Sequence, residues 1–177
     1  PMGSSIKTSE NPKFNVKAVG AFKQKDGCED YALDGLPAEK IDTLCGGECY
    51  NPSSERLKIT RIEVVKITPQ KNKDENVDDL IQDPWMVLPC DGENGCEVNF
   101  EDPDFIEQGR KSIYYVRAIQ EPTETINGDA LRCTYDSEGN CIDVNPCWGD
   151  YRVDSSDQCL SREEHRAWSS PIYISKN

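Results

Sequence analysis

Nine cysteines, none of them in a C-x-x-C pair, restrict how this chain can be held together. A domain of 177 residues buries roughly 70% of its unfolded surface, so it does not need covalent staples merely to fold. Structural zinc favours C-x-x-C pairs with histidine, and the nearest approach is the Cys45–Cys49 spacing. We therefore expect disulfides, and with them a secreted or periplasmic protein.

The spacing of the cysteines predicts three small disulfide loops, which join Cys90 to Cys96, Cys133 to Cys141, and Cys147 to Cys159. The first two pairs flank the turn-rich segments DGENG and TYDSEGN, and such short loops hold the β-carbons within bonding range. One further pair is expected among the remaining three, joining Cys28 to Cys45 or Cys49. Because nine is odd, at least one cysteine is free, bonded to another chain, or paired with a part of the parent protein outside this sequence.

Alternating apolar residues predict β-strands along most of the chain. The expected strands are residues 13–22, 57–68 with a bulge near Arg61, 84–90, 96–100, 112–120 and 171–175. The segments 84–90 and 96–100 are expected to form a hairpin, whose tip is DGENG. Short helical segments are expected at 37–44, 76–82 and 161–168. Short strands between turns rich in Gly, Pro, Asn and Asp predict an all-β sandwich.

Several segments resemble known proteins. SIYYVRAIQEPT (112–123) is similar to the penultimate strand of fibronectin type III-like sandwiches, in which a tyrosine anchors the start of the strand. AWSSPIYIS (167–175) resembles the final strand of the C-terminal domain in secreted bacterial relatives of the polymerase-and-histidinol-phosphatase metallohydrolases. Because the sequence opens with Pro1, with neither a start methionine nor a signal peptide, we expect a fragment or a processed product of a longer protein.

A wider set of motifs resembles the carboxy-terminal part of a large bacterial family classed as a domain of unknown function. These motifs are DPWMVLPC, DPDF, GRKSIYYVRAIQEPT, INGDALRC, NPCWGDYR and AWSSPIYI, and an N-terminal PMG is shared as well. The resemblance covers roughly residues 1–3, 11–22, 57–68 and most of 83–175. It implies that a metal-dependent hydrolase-like portion precedes this region. No catalytic residue is carried over, because a multi-metal site needs several histidines and this chain has one.

Together these observations predict an immunoglobulin/fibronectin type III-like sandwich, formed as a single domain by residues 1–177. A long disulfide-stapled insertion, at about 124–166, is expected between the last two strands. The expected function is non-catalytic: an accessory domain that packs on the catalytic portion of a secreted metallohydrolase-like protein or binds another protein. Three alternatives remain, namely an adhesion or assembly module, a calcium-dependent carbohydrate-binding module, and a hydrolase that uses its acidic loops.

The candidate site residues lie mostly in acidic loops. Trp148 and Tyr151 could stack on a sugar or peptide, or form a small core under the loop. No cofactor is expected apart from calcium, whose candidate ligands are Asp102, Asp104, Asp150 and Asp154. These carboxylates are also explained as solvated turn residues, because neither acidic turn matches an EF-hand loop. His165 is expected to be an exposed surface histidine, not a general base.

A formal net charge of −13 excludes the partners that require clustered Lys and Arg. Nucleic acid is therefore not expected as a partner. Membrane insertion is not expected either, because no stretch approaches the roughly 20 apolar residues that span a bilayer. The expected partner is a protein: the catalytic portion of the parent or another chain.

Overall fold

The computed structural model describes residues 1–37, 39–40 and 50–177, and these residues form an all-β fold. Their strands are β1 (Ser5–Thr8), β2 (Lys13–Ala18), β3 (Phe22–Gln24), β4 (Pro52–Arg56), β5 (Ile59–Ile67), β6 (Ile81–Pro89), β7 (Cys96–Glu101), β8 (Ser112–Gln120), β9 (Thr123–Ile126), β10 (Cys133–Tyr135), β11 (Cys141–Val144), β12 (Leu160–Glu163), β13 (Arg166–Trp168) and β14 (Ile172–Lys176). The helical segments are α1 (Asp30–Gly35), α2 (Phe105–Gln108), a 3₁₀ turn (Asp78–Leu80) and a turn at Gly128–Arg132.

The main sheet has the strand order β1-β14-β8-β5-β6, and β13 also pairs with β8. The pairs are antiparallel except for β1 with β14, which is parallel. The predicted bulge is confirmed, since the register between β5 and β8 shifts between Ile59 and Arg61. Val64 and Val65 of β5 are both fully buried. Because successive side chains point to opposite faces, β5 is covered on both faces and lies at the centre of the fold.

A two-stranded ribbon, β2 with β7, forms a second layer on the main sheet. Here the alternation in the sequence decides the structure: Phe14, Val16 and Ala18 turn inward, while the intervening residues of β2 are exposed. The predicted hairpin of 84–90 with 96–100 is wrong. β6 pairs with β5 in the main sheet and β7 pairs with β2 in the ribbon, so the short DGENG segment carries the chain from one layer to the other.

Two apolar clusters fill the space between the layers. The aliphatic cluster lies at the end marked by the Cys90–Cys96 disulfide, and there Ile59 and Ile62 pack against Val16 of the ribbon. The aromatic cluster lies at the opposite end of β7, where the rings of Phe14 and Phe100 stack with their centroids 4.6 Å apart. Tyr114 and Trp85 complete this cluster from the main sheet. The layers are thus joined covalently at one end and by ring packing at the other.

The aromatic end also holds a buried ion pair. The Lys66 ammonium lies 2.5 Å from the Asp102 carboxylate, and both side chains are buried. The same carboxylate accepts a hydrogen bond from the Tyr114 hydroxyl, also at 2.5 Å, and one from the Asp104 amide. Burial and the bond to Asp102 raise the pKa of Tyr114 well above its ordinary value, so its hydroxyl stays protonated and remains a donor. Because Lys66 is on β5, Tyr114 on β8, and Asp102 follows β7, this cluster joins the layers.

A glycine ends the first strand of the ribbon earlier than the alternation predicts. The sequence predicts one strand over 13–22, but the structure has β2 and then β3, which pairs with β4. Gly20 lies between them, and a β-carbon at this position would lie 1.9 Å from the Leu57 carbonyl oxygen. The close passage of these two backbones therefore requires glycine and turns the chain out of the ribbon.

Residues 121–165, which we call the excursion, leave the main sheet between β8 and β13. They form two small antiparallel sheets, β9 with β12 and β10 with β11. The Cys133–Cys141 bond lies at the β10–β11 hairpin and the Cys147–Cys159 bond closes the next loop, as the spacing predicts. Cys28 is also disulfide-bonded, whereas Cys45 and Cys49, its predicted partners, lie outside the described residues.

Other local predictions are corrected by the structure. Residues 161–168 are not a helix but parts of β12 and β13. These strands form because β12 pairs with β9 and β13 pairs with β8. Residues 76–82 contain the 3₁₀ turn and the start of β6. A strand position predicts Trp168 in the core, but it is 60% exposed, because it lies opposite Arg117 on the face of the main sheet away from the ribbon. Most of the predicted helix at 37–44 lies outside the described residues.

The buried ion pair makes a direct prediction for stability. Lys66→Met should lower the free energy of unfolding by about 3–5 kcal/mol, because it leaves the Asp102 charge buried without its partner. Lys66→Met combined with Asp102→Asn should be more stable than Lys66→Met alone, since the amide removes the uncompensated charge. Urea unfolding with the disulfides intact measures both. The exposed Lys71→Met serves as the control and should change the value by less than about 0.5 kcal/mol. Equal losses for Lys66→Met and Lys71→Met would contradict the prediction.

Candidate functional site

An apolar groove of about 1060 Å³ lies on the inner face of the main sheet. All six residues of β2 line one wall. The floor and the other wall come from β1, β8, β13 and β14. The groove arises because the ribbon is two strands wide and packs mainly over β5, β6 and β8, which leaves the inner face near β13 and β14 uncovered.

Large apolar side chains remain exposed around this groove. Met2, Ile6 and Val19 all line it, and each exposes more than a third of its surface. Single exposed apolar residues are common on soluble proteins, but a contiguous group around a concavity marks an interaction site. The volume also exceeds that of most small-ligand pockets, which favours a polymeric ligand. The groove is therefore the candidate binding site.

His165 lies at the rim of the groove and is exposed, as predicted. Its imidazole nitrogen lies 2.9 Å from the Thr125 hydroxyl oxygen. The preceding residue fixes its position: Glu164 accepts two hydrogen bonds from Arg61, at 2.8 and 2.7 Å. This pairing lowers the pKa of Glu164 and joins the end of the excursion to β5. His165 thus sits on a well-anchored rim, paired with a hydroxyl.

The two aromatic candidates of the excursion occupy a different place. Trp148 is 58% exposed and Tyr151 is 94% exposed, so Tyr151 does not form the small core that was one of the two expectations. The guanidinium of Arg152 covers the Trp148 ring, 4.4 Å from its centroid. The small polar cleft beside them, about 270 Å³, includes Arg132 and Asp157, which form an ion pair at 2.8 Å. Trp148 therefore presents one ring face that is already occupied by a cation.

The four calcium candidates are not brought together as a ligand set. Asp102 is buried with Lys66, and the backbone of Asp104 donates to it. Asp150 is paired with Arg152 at 2.6 Å, and Asp154 accepts hydrogen bonds from the amide and hydroxyl of the residue two positions later. These bonds lower the pKa values of Asp150 and Asp154. The carboxylates of Asp102, Asp150 and Asp154 are thus committed to local partners, whereas Asp104 contributes its backbone amide.

The described residues contain one group with metal-ligand spacing, formed by Cys147, Asp157 and Cys159. The two sulfur atoms are bonded to each other at 1.96 Å. A metal ligand must be a thiolate, so the disulfide leaves the Asp157 carboxylate as a single donor. This group is a disulfide with a neighbouring ion pair.

A left-handed turn, which sequence reasoning did not predict, positions the excursion. Asp129, Ala130 and Leu131 have φ between 49° and 64°. Such values are costly for residues other than glycine, so the surroundings must hold them. The Asn127 side chain donates to and accepts from the Cys147 backbone, and Glu163 accepts from the Asp129 amide at 2.6 Å. The Asn-Gly-Asp order in INGDALRC is the one local signal, since Asn and Asp tolerate this conformation best.

No family model, curated protein or solved structure matches this chain. No helix in the part of the chain that the structure describes has the length and apolar composition needed to cross a bilayer. The groove and the chemistry of its residues are therefore the basis for the proposed function.

Asp157 makes the stability of the excursion dependent on pH. Its pKa lies below the ordinary value, mainly because it accepts the Cys159 amide at 2.8 Å and also because of Arg132. A depressed pKa contributes stability that is complete above the unfolded value, about 3.9, and is lost as the pH falls through the lower folded value. The NMR protection factor of the Cys159 amide should therefore fall with pH in this acidic window.

Two variants separate this contribution from general acid unfolding. In Asp157→Asn the loss of protection at the Cys159 amide should be much smaller, since the amide oxygen still accepts but does not titrate. The matched control Asp150→Asn removes another depressed carboxylate of the same loop, one that is paired with Arg152, and should leave the profile at Cys159 unchanged. Identical profiles in the wild type and Asp157→Asn would contradict the assignment.

Proposed function

We propose that this chain is a non-catalytic accessory domain of a secreted or periplasmic metallohydrolase-like protein. It packs on the catalytic portion of that protein, or on a partner protein, through the apolar groove. The domain is an immunoglobulin/fibronectin type III-like sandwich whose second layer is incomplete. The observation that carries the proposal is the groove itself, with exposed apolar side chains around a concavity that exceeds most small-ligand pockets.

The anchors of the groove support protein binding. Ile6 on β1 is exposed and lies opposite Ile174 of β14, which packs in the inner aromatic cluster, so the Ile6 side chain points to the same inner face. An exposed apolar side chain of this kind contributes to the energy of an interface when a partner buries it. The sequence is rich in charged residues and has a net charge of −13, yet the surface around the groove is apolar. This contrast supports a partner that covers the groove.

The chemistry of the polar residues supports a role without catalysis. His165 is the single histidine of the sequence, and its partner in the structure is the Thr125 hydroxyl. In the described residues no carboxylate is hydrogen-bonded to this imidazole, whereas catalytic histidines are usually oriented by one. Among the described residues, the one hydroxyl–imidazole pair, Thr125 with His165, thus lacks the orienting carboxylate of a catalytic triad.

Two further observations support the secreted sandwich. Three disulfides between described residues are typical of proteins that fold in an oxidising compartment. The contact of the ribbon with the main sheet provides the two-layer packing of a sandwich, and β8 and β14, the predicted last two strands, are paired. The proposed partner is inferred from the motif resemblance, which implies that a metal-dependent hydrolase-like portion precedes this region.

The proposal is tested with the coding sequence that precedes the codon for Pro1. We expect it to encode a His/Asp-rich hydrolase-like domain that binds the 177-residue chain when the two are expressed separately and mixed. Calorimetry should show that Ile6→Asp weakens this binding at least tenfold. Ile142→Asp is the matched control, because Ile142 is also an exposed isoleucine on a strand but lies on the excursion.

Two results would contradict the proposal. One is the absence of a hydrolase-like domain upstream together with no binding partner for the groove. The other is binding that survives Ile6→Asp but is lost in Ile142→Asp, which would move the binding surface to the excursion.

A further inference from the structure

The outer edge of β2 is an open strand edge. On one side β2 pairs with β7 in continuous register, from Lys13 opposite Glu101 to Ala18 opposite Cys96. On the other side its backbone groups have no hydrogen-bond partner among the residues that the structure describes. An edge of this kind is a template for another extended chain.

The burial of opposite residues confirms that the ribbon is open on the β2 side. Phe14 and Phe100 lie opposite each other across the ribbon, yet Phe100 is buried and Phe14 is only partly buried. The same holds for Cys96, which is buried, and Ala18 opposite it, which is not. Since each pair points to the same face, the difference arises from the missing neighbour beside β2.

The open edge and the apolar groove are adjacent, because every residue of β2 lines the groove. A strand added beside β2 would lie about 4.8 Å from it and above β13 and β14. Every second side chain of that strand would then enter the groove, next to Ala167 and Ile172. An apolar floor together with a row of backbone donors and acceptors fits an extended peptide better than a helix, whose backbone groups are already paired.

The charges at the groove indicate what the intervening residues of such a strand should be. The charged lining residues are Lys13, Lys17 and Arg166 on the positive side and Glu10 on the negative side. These four lining residues sum to +2 in a chain whose formal net charge is −13, and Glu101 and Glu97 on β7 offset part of the charge of the two lysines. Lys13 and Lys17 lie on the outward face of β2, with their nitrogens 3.7 and 3.0 Å from Glu101 and Glu97. Acidic residues on the added strand would lie beside both lysines.

We propose that the apolar groove binds an extended polypeptide segment, which adds a strand to the open edge of β2. Alternate apolar residues of this segment fill the groove, and the intervening acidic residues lie beside Lys13 and Lys17. This inference rests on the proposed function, because it specifies how the partner is recognised.

A second copy of this chain is a poor candidate for the added strand. In a symmetric antiparallel pair of two β2 strands centred on Asn15, Lys13 of one copy lies opposite Lys17 of the other. Like charges directly opposite each other destabilise a strand pair. Lysines on an exposed edge are a common means by which proteins prevent self-association. The same lysines favour an acidic partner strand.

The test uses two capped peptides long enough to span β2, one with alternating Val and Glu and the other with alternating Val and Lys. We expect the Val/Glu peptide to bind the 177-residue chain, in spite of the like net charge, and to slow amide exchange at β2. The Val/Lys peptide should bind at least tenfold more weakly. Calorimetry gives the affinities, and NMR gives the exchange rates.

Variants locate the binding. Ala167→Trp fills the groove from an exposed position and should weaken Val/Glu binding at least tenfold. Its matched control is Val87→Trp, an equally drastic change at an exposed position of β6, which should leave the affinity unchanged. The double variant Lys13→Glu/Lys17→Glu should reverse the preference between the peptides. Lys71→Glu/Lys73→Glu changes the net charge equally at exposed positions in another loop and should not reverse it.

The possible failures are distinguishable. If neither peptide binds but the upstream domain still binds through Ile6, strand addition is wrong and the accessory role stands. If the upstream domain does not bind either, both proposals are wrong. Peptide binding that leaves exchange at β2 unchanged, or that resists Ala167→Trp, also overturns strand addition.

Discussion

The buried ion pair between Lys66 and Asp102 fixes the position of the ribbon on the main sheet, and the rest of the fold depends on this position. A charge removed from water is costly unless it is paired and hydrogen-bonded, and the Asp102 carboxylate has both Lys66 and Tyr114 as partners. The Cys90–Cys96 bond secures the opposite end of β7. β7 is therefore held at both ends, and β2 is held through β7.

This one-sided attachment explains the groove. Because both fixed points lie along β7, the ribbon covers β5 and β6, and the inner face of the main sheet near β13 and β14 has no described layer above it. Backbone groups of β2 and apolar side chains such as Ile6 are left exposed along the same groove. The candidate binding surface thus results from an incomplete second layer, and the excursion contributes mainly its anchored end at Glu164.

Local sequence signals predicted the elements that depend on neighbours in sequence. The strand 112–120, the bulge near Arg61 and the three short disulfide loops follow from alternation, β-branched residues and turn chemistry. The pairing of strands did not follow, because the short DGENG loop is compatible with a hairpin and with a change of layer. The exposure of Trp168 and the groove could not be predicted for the same reason: both depend on where the second layer lies on the main sheet, a property of the whole topology.

The central claim is that β2 is paired on one edge and open on the other, and amide exchange in the unliganded protein tests it most directly. In an antiparallel strand with one paired edge, amides that point toward the partner are protected and the alternate amides are not. Along Lys13–Ala18 we therefore expect protection factors that alternate between high and low from residue to residue. The high values should fall in Lys66→Met, because that variant lowers the stability of the fold. Uniformly high protection along β2 would show that the chain itself covers this edge, and it would contradict the account.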